Sequence, residues 1–331
     1  MILPAAPVRF SSRDTEYPYR PDSELYYLTG LTEPGAVAVL RGHADEDRLV
    51  LFVSPPDEEL ELWHGKPLGP EEARDRVGAD AVWSLDELEE RLPQLLAGSD
   101  RLHFRLDADP RCDALVRQAL GTARRRGART GGGPRAVVDP GGILDELRVR
   151  KDPEEAERLR RAAGITVTAH REALGHVRPG AGEWEIEGRL EGCFRRLGAD
   201  GPAYGSIVAS GANGCILHYM DNSGVLRDGD LLLVDAGAAV GLYAADVTRT
   251  VPVGGRFEGE QRAVYDVVER ARGSAVAAVR PGATVADVHS AAVQALVEGL
   301  IELEVLGGDP EELREAEAHK PFFPHQTSHW L

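Results

Sequence analysis

The sequence predicts a mixed α/β (α+β) protein of two domains, and three observations lead there. The chain has 331 residues, more than one ordinary core accommodates, because single cores stop growing at about 250–300 residues. Its first part alternates short apolar strand-like runs with helix-like stretches. Its second part shows one pattern twice, helix, Arg-Pro-Gly, helix, around Pro179 and around Pro281.

In chain order, "AVAVL" (Ala36 to Leu40), "RLVLFV" (Arg48 to Val53) and "RLHFRL" (Arg101 to Leu106) read as strands. "PEEARDRVG" and "LDELEERLPQLLA" read as helices, acidic at the start and carrying an apolar stripe. A first domain over 1–135 follows. "TGGGP" (Thr130 to Pro134) breaks the pattern, so 136–150 is expected to be an irregular linker. A second domain then opens at 151 and runs to 331. Its first helix has a strong start: Asp152 suits the N-cap, Pro153 the first helical position, and Glu154 and Glu155 the positive end of the helix dipole. The doubled Arg-Pro-Gly pattern suggests two similar halves, each a helix pair beside part of a shared sheet.

Composition narrows the function classes. Apolar residues at 42% and charged residues at 28% are those of a water-soluble globular chain. A net charge of −17 argues against nucleic acid or an anionic membrane as partner. Cys112, Cys193 and Cys215 are few and far apart, giving neither a disulfide framework nor paired metal ligands, so a reducing, cytoplasmic setting is expected. No apolar run reaches the length of a membrane span.

The chemistry concentrates in "GDLLLVDAGAAVGLYAADVTRTVPVGG" (Gly229 to Gly255). Two apolar strand-like runs each carry one aspartate, Asp235 and Asp246. A hairpin centred between Val240 and Gly241 would set them directly opposite, about 4.5–5.5 Å apart at Cβ. Two carboxylates there repel, and more so where water is excluded. A shared proton relieves this, and so does a divalent cation, since carboxylates are hard oxygen ligands that bridge metals. Two blander outcomes stay open: one Asp exposed at a strand end, or Asp246 paired with Arg249. Histidines come from "HKPFFPHQTSHWL", with His319, His325 and His329 within eleven positions, and from His218 in "NGCILHYMDN". Imidazole ligates Zn, Mn or Co and donates protons.

"SIVASGANGCILHY", "DGDLLLVDAG", "YAADVTRTVPV" and "PFFPHQTSHWL" resemble the metal-dependent aminopeptidase P (Xaa-Pro aminopeptidase) family of pita-bread metallopeptidases. "YPYRPDSELYYLTGLTEPGAVAVL" and "LWHGKPLG" resemble its N-terminal domain. The resemblance spans nearly the whole chain. It implies a creatinase-like N-terminal domain before a pita-bread domain, and a hydrolase that releases the first residue from peptides with proline second. It implies two divalent ions, manganese first with zinc or cobalt as alternatives, and a homodimer or homotetramer. By resemblance, Asp235, Asp246 and His329 are metal ligands, with His218 and His325 assisting the transition state. Tyr204 in "PAYGSIV", Trp63 in "LWHG" and Glu24 in "PDSELYY" match substrate-contacting positions, although relatives carry aspartate where Glu24 stands. The family motif continues past "SHWL" to two further glutamate ligands. The chain is therefore expected to be a C-terminally cut fragment with an incomplete pita-bread domain, inactive alone. Prolidase is the alternative activity. A metal-free pita-bread binding protein and a metal-free creatinase-type hydrolase are both disfavoured by the retained Asp235, Asp246 and His329.

Overall fold

The computed structural model describes residues 1–42, 44, 46–128 and 132–330, without the side chain of Leu60. The chain divides into two units, Met1–Arg150 and Lys151–Leu331.

In the first unit the elements are β1 (Ile2–Pro4), α1 (Ser23–Thr29), β2 (Val37–Leu40), β3 (Leu49–Val53), α2 (Glu58–His64), α3 (Pro70–Val77), β4 (Ala81–Ser84), α4 (Leu88–Leu95), β5 (Arg101–His103), α5 (Pro110–Gly127), β6 (Ala136–Val138) and α6 (Gly141–Val149). Strands pair in the order β1-β2-β3-β4. The β1–β2 and β2–β3 pairs are antiparallel, whereas β3 and β4 run parallel, with α2 and α3 between them in sequence. The continuous apolar runs of β2 and β3 follow from burial on both faces. Val37, Val39, Val50 and Phe52 enter one core cluster, while Ala38, Leu51 and Val53 enter another.

The expected linker over 136–150 is corrected. Residues 136–138 form β6, parallel to β5, and 141–149 form α6, whose Leu144 is buried in the core of this unit. The strand expected over Arg101 to Leu106 ends at His103, just before the chain turns through Asp107 at φ 68°. The "TGGGP" break lies partly outside the described residues.

The second unit holds α7 (Pro153–Leu174), α8 (Glu183–Arg196), β7 (Gly201–Pro202), β8 (Ile207–Ser210), β9 (Leu231–Asp235), β10 (Ala238–Val240), β11 (Tyr243–Ala244), β12 (Thr248–Pro252), α9 (Gly259–Ala278), α10 (Val285–Glu302) and α11 (Pro310–Glu315). Its two helix pairs flank Pro179 and Pro281. A reciprocal capping box starts α7: Glu155 N donates to Asp152 Oδ1 at 2.9 Å, and Asp152 N to Glu155 Oε2 at 2.7 Å. The antiparallel sheets run β12-β9-β8 and β11-β10-β7. Ala162, Ile165, Ala169 and Ala173 of α7 and Ile186, Leu190 and Phe194 of α8 pack on Val208, Leu232 and Val234. Among the described residues no helix is long and apolar enough to cross a membrane.

The hairpin register is also corrected. Val240 pairs with Tyr243, and Gly241 and Leu242 both have positive φ, 56° and 65°. That is a two-residue type I′ turn, the turn whose twist suits a hairpin. It centres the hairpin one position later than expected, so Asp235 stands opposite Thr248 rather than Asp246.

Candidate metal centre

Along β9, Leu232 and Val234 point into the core beneath α7 and α8, which sends Leu233 and Asp235 to the opposite face by the period of two. Thr248 faces Asp235, so Asp246, two residues earlier on the partner strand, lies diagonally across on the same face. The register error therefore shifts Asp246 along the hairpin without turning it away. Between β9 and β10 the ladder is interrupted at Ala236 and Gly237. A Cβ on Gly237 would collide with the carbonyl oxygen of Ala245, so the close approach of the two strands there requires glycine.

Helix α7 supports this interruption from beneath. Ala238 N donates to Thr166 Oγ1 at 2.9 Å, and His170 Nε2 lies 2.9 Å from Ala236 O. A carbonyl only accepts, so His170 carries its proton on Nε2. Its Nδ1 is buried without a partner, and burial holds the imidazole below its ordinary pKa.

Tyr204 joins the two carboxylates. Its hydroxyl is 2.6 Å from Asp235 Oδ1 and 3.0 Å from Asp246 Oδ1. Burial, then the bond to Asp235 and the charges of both aspartates, push the phenol far above its ordinary range. Burial also raises Asp235, opposed by the Tyr204 hydrogen bond and reinforced by the nearby Asp246 charge. Arg249 does not neutralise the pair; its Nη1 donates to Thr248 O at 2.6 Å.

His329 completes the group. Its Nδ1 is 2.9 Å from Trp330 O and its Nε2 is 3.0 Å from Asp246 Oδ2. Since Trp330 O accepts, Nδ1 carries a proton. In the neutral ring Nε2 is then a bare lone pair aimed at a carboxylate oxygen. Two acceptors face each other, and only a proton or a cation between them relieves the contact. The bond to Trp330 is the largest effect and raises the imidazole pKa; burial opposes it, and the hydrogen bond and charge of Asp246 add to the rise. Two carboxylates and an imidazole are the donor chemistry of a divalent-cation site, and the acceptor-to-acceptor contact fits that group. Among the described residues no three His, Cys, Asp or Glu side chains are gathered as a ready cage.

The other candidates are dispersed. His218 is exposed on the segment after β8 and is not hydrogen-bonded to either aspartate. His325 is exposed, with Nδ1 2.8 Å from Gln326 O and its ring edge-on to Phe323. It lines an apolar cavity of about 380 Å³ with Phe322, Phe323 and residues of α9 and α10. Glu24 and Trp63 belong to the first unit. Glu24 is buried and paired with Arg105 at 2.6 Å, its carboxyl raised mainly by burial, while Trp63 is 75% exposed. Sequence reasoning missed His170, Thr166 and Gly237. Only the glycine, just after an aspartate-bearing strand, left a readable trace.

Residues 157–331 match the model of metallopeptidase family M24, and residues 1–103 that of the aminopeptidase P N-terminal domain. The chain is 41% identical over 331 residues to the Xaa-Pro aminopeptidase of Escherichia coli (strain K12), covering 100% of this chain and 75% of that protein. To the Xaa-Pro aminopeptidase of Haemophilus influenzae it is 34% identical over 320 residues, covering 97% and 72%. The solved structures of Pseudomonas aeruginosa aminopeptidase PepP and of zinc-substituted E. coli aminopeptidase P in complex with product each superpose with a TM-score of 0.94 at 41% identity, over 100% of this chain and 75% of theirs. With its creatinase-like first domain, its pita-bread second domain and these relatives, the chain belongs to metallopeptidase family M24 and, within it, to the Xaa-Pro aminopeptidases.

Proposed function

We propose that this metal-dependent aminopeptidase removes the first residue from peptides whose second residue is proline, and that Asp235, Asp246 and His329 supply ligands to its divalent ions. The observation that carries the ligand assignment is the 3.0 Å approach of His329 Nε2 to Asp246 Oδ2, beside a Tyr204 hydroxyl within hydrogen-bond distance of both aspartates. Two ions, manganese for preference, suit a carboxylate that faces two neighbours at once. Bound metal supplies a water acidic enough to attack at neutral pH and a Lewis acid for the scissile carbonyl.

The remaining roles fall to the chain itself. Tyr204 keeps its proton, being far from ionising, and holds the carboxylates at a fixed spacing. His218 and His325, both exposed, serve as proton donors to the developing oxyanion and leaving nitrogen. Trp63 and Leu62, 75% and 82% exposed, form an apolar projection suited to a proline ring or to a second copy of the chain. A homodimer or homotetramer in the cytoplasm completes this reading.

The test pairs metal titration with peptide hydrolysis. Wild-type protein should take up Mn²⁺ in calorimetry, and Asp246→Asn should lose most of that uptake. In the protein that also carries the two further glutamates of the family motif, turnover of a tripeptide Xaa-Pro-Xaa should disappear on chelation and return with Mn²⁺. Release from Xaa-Pro dipeptides alone would assign a prolidase instead. Unchanged metal uptake in both Asp246→Asn and Asp235→Asn would remove the ligand assignment.

A further inference from the structure

Glu183, the first residue of α8, is completely buried, yet among the described residues its carboxylate has no charged partner. Five donors surround it instead. Oε1 accepts from Ser210 N at 2.7 Å, Ser210 Oγ at 2.7 Å and Asn213 Nδ2 at 3.1 Å. Oε2 accepts from Tyr219 OH at 2.9 Å and Gly224 N at 2.7 Å. Burial alone would raise this carboxyl, but the donors outweigh it and hold it below its ordinary range, so the group is charged at neutral pH.

Every one of those donors lies in the stretch 210–224 that leaves β8, carries His218 and returns toward β9. A second buried side chain fixes the same stretch. Asn222, in the left-handed region at φ 44°, accepts from Val208 N and donates to Ser206 O, both at 2.8 Å. It therefore occupies the free edge of β8 around Ile207. The other edge of Ile207 pairs with Asp235. Tyr219 packs with Ile207, Ala209 and Leu233 on the face that bears Asp235. Between these anchors Ile216 and Leu217 stay 55% and 60% exposed, with His218 beside them.

We infer that Glu183 is a positioning residue for the reaction: its carboxylate, with Asn222, clamps the 210–224 segment so that His218 is held at a fixed place relative to the strand that carries Asp235. The inference rests on His218 serving the reaction as read above. Seven hydrogen bonds from two buried side chains exceed what a surface turn needs to close. A buried carboxylate ringed by donors is also a specific demand. In Glu183→Gln an NH₂ group must face at least one of the same N–H donors, so the clamp opens although shape is kept.

Hydrogen exchange and a double-mutant cycle test this. In Glu183→Gln the Ser210 and Gly224 amides should exchange at least about 10-fold faster, with β9 and β12 amides unchanged. This arm needs no loaded enzyme. In turnover by the protein that also carries the two further glutamates, Glu183→Gln should lower kcat by about 10- to 100-fold with KM within about twofold, as misplacement of a reacting group does. Glu183→Asp, which keeps the charge, should recover part of the loss. Added to His218→Ala, Glu183→Gln should cost less than about twofold more, because both changes act through one group. Equal costs in both backgrounds would mean a merely structural residue and overturn the inference, as would unaltered exchange at Ser210 and Gly224. If His218→Ala alone leaves turnover intact, the role of His218 fails and the inference with it, while faster exchange would still report the clamp. Should Glu183→Gln not fold, Asn213→Ala and Tyr219→Phe each remove one donor, and the same two readouts should move in the same direction by smaller amounts.

Discussion

At Gly237 the backbones of two strands come so close that a single methyl group has no place, since it would overlap the carbonyl of Ala245. Gly237→Ala should destabilise the second unit by about 3 kcal/mol through strand separation, read as a lowered urea midpoint. It should also weaken metal uptake, because Asp246 follows Ala245 directly. His170 gives a pH-dependent counterpart. Its pKa is lowered by burial in the folded state, so below the ordinary histidine value of about 6.5 the unfolded chain binds a proton that the folded chain refuses. Stability from this group is complete above that pH and falls as the pH drops toward the folded-state value. Thermal midpoints measured without metal from pH 7.5 to 5 should decline, and His170→Asn should flatten that part of the curve. An equal slope in the variant would assign the decline to other groups.

Among the elements, α7 depends on a cap readable from sequence alone. Asp152→Ala removes a side chain that accepts from Glu155 N, and should cost about 1 kcal/mol in urea unfolding. Helices with such signals were legible: Asp152-Pro153 announced α7, and the two Arg-Pro-Gly breaks fell between α7 and α8 and between α9 and α10. Helix α6 was hidden because it opens on Pro140-Gly141-Gly142 with no side-chain cap, and β6 because three residues give no periodicity. The hairpin was legible in existence and not in register. Its turn uses Leu242 at positive φ, a residue that rarely marks a turn. Period-two alternation still put both aspartates on one face. What supports that face is contributed by Thr166, His170 and Glu183, distant in sequence from the strands, and their hydrogen bonds have no local signature.

For the whole molecule, the two units have separate cores: the clusters around Phe52 and Leu51 lie in residues 1–150, and those around Leu190 and Val267 in 151–331. Calorimetry should show two transitions, and Mn²⁺ should raise only that of the second unit, which holds Asp235, Asp246 and His329. A shift of both by the same amount would show the units unfolding as one. The contiguity of the first unit also bears on how the protein is made. All its strand pairs, from β1–β2 to β5–β6, are closed by residue 138, and α6 ends at Val149. No later residue is needed for its sheets. At ribosomal rates of about 5–20 residues per second, the 85 residues from Lys151 to Asp235 take roughly 4–17 s to synthesise. Small domains fold far faster than that. The first unit is thus set to emerge and fold while the aspartate-bearing strands are still being translated, and stalled nascent chains carrying it should resist protease before the hairpin has left the ribosome.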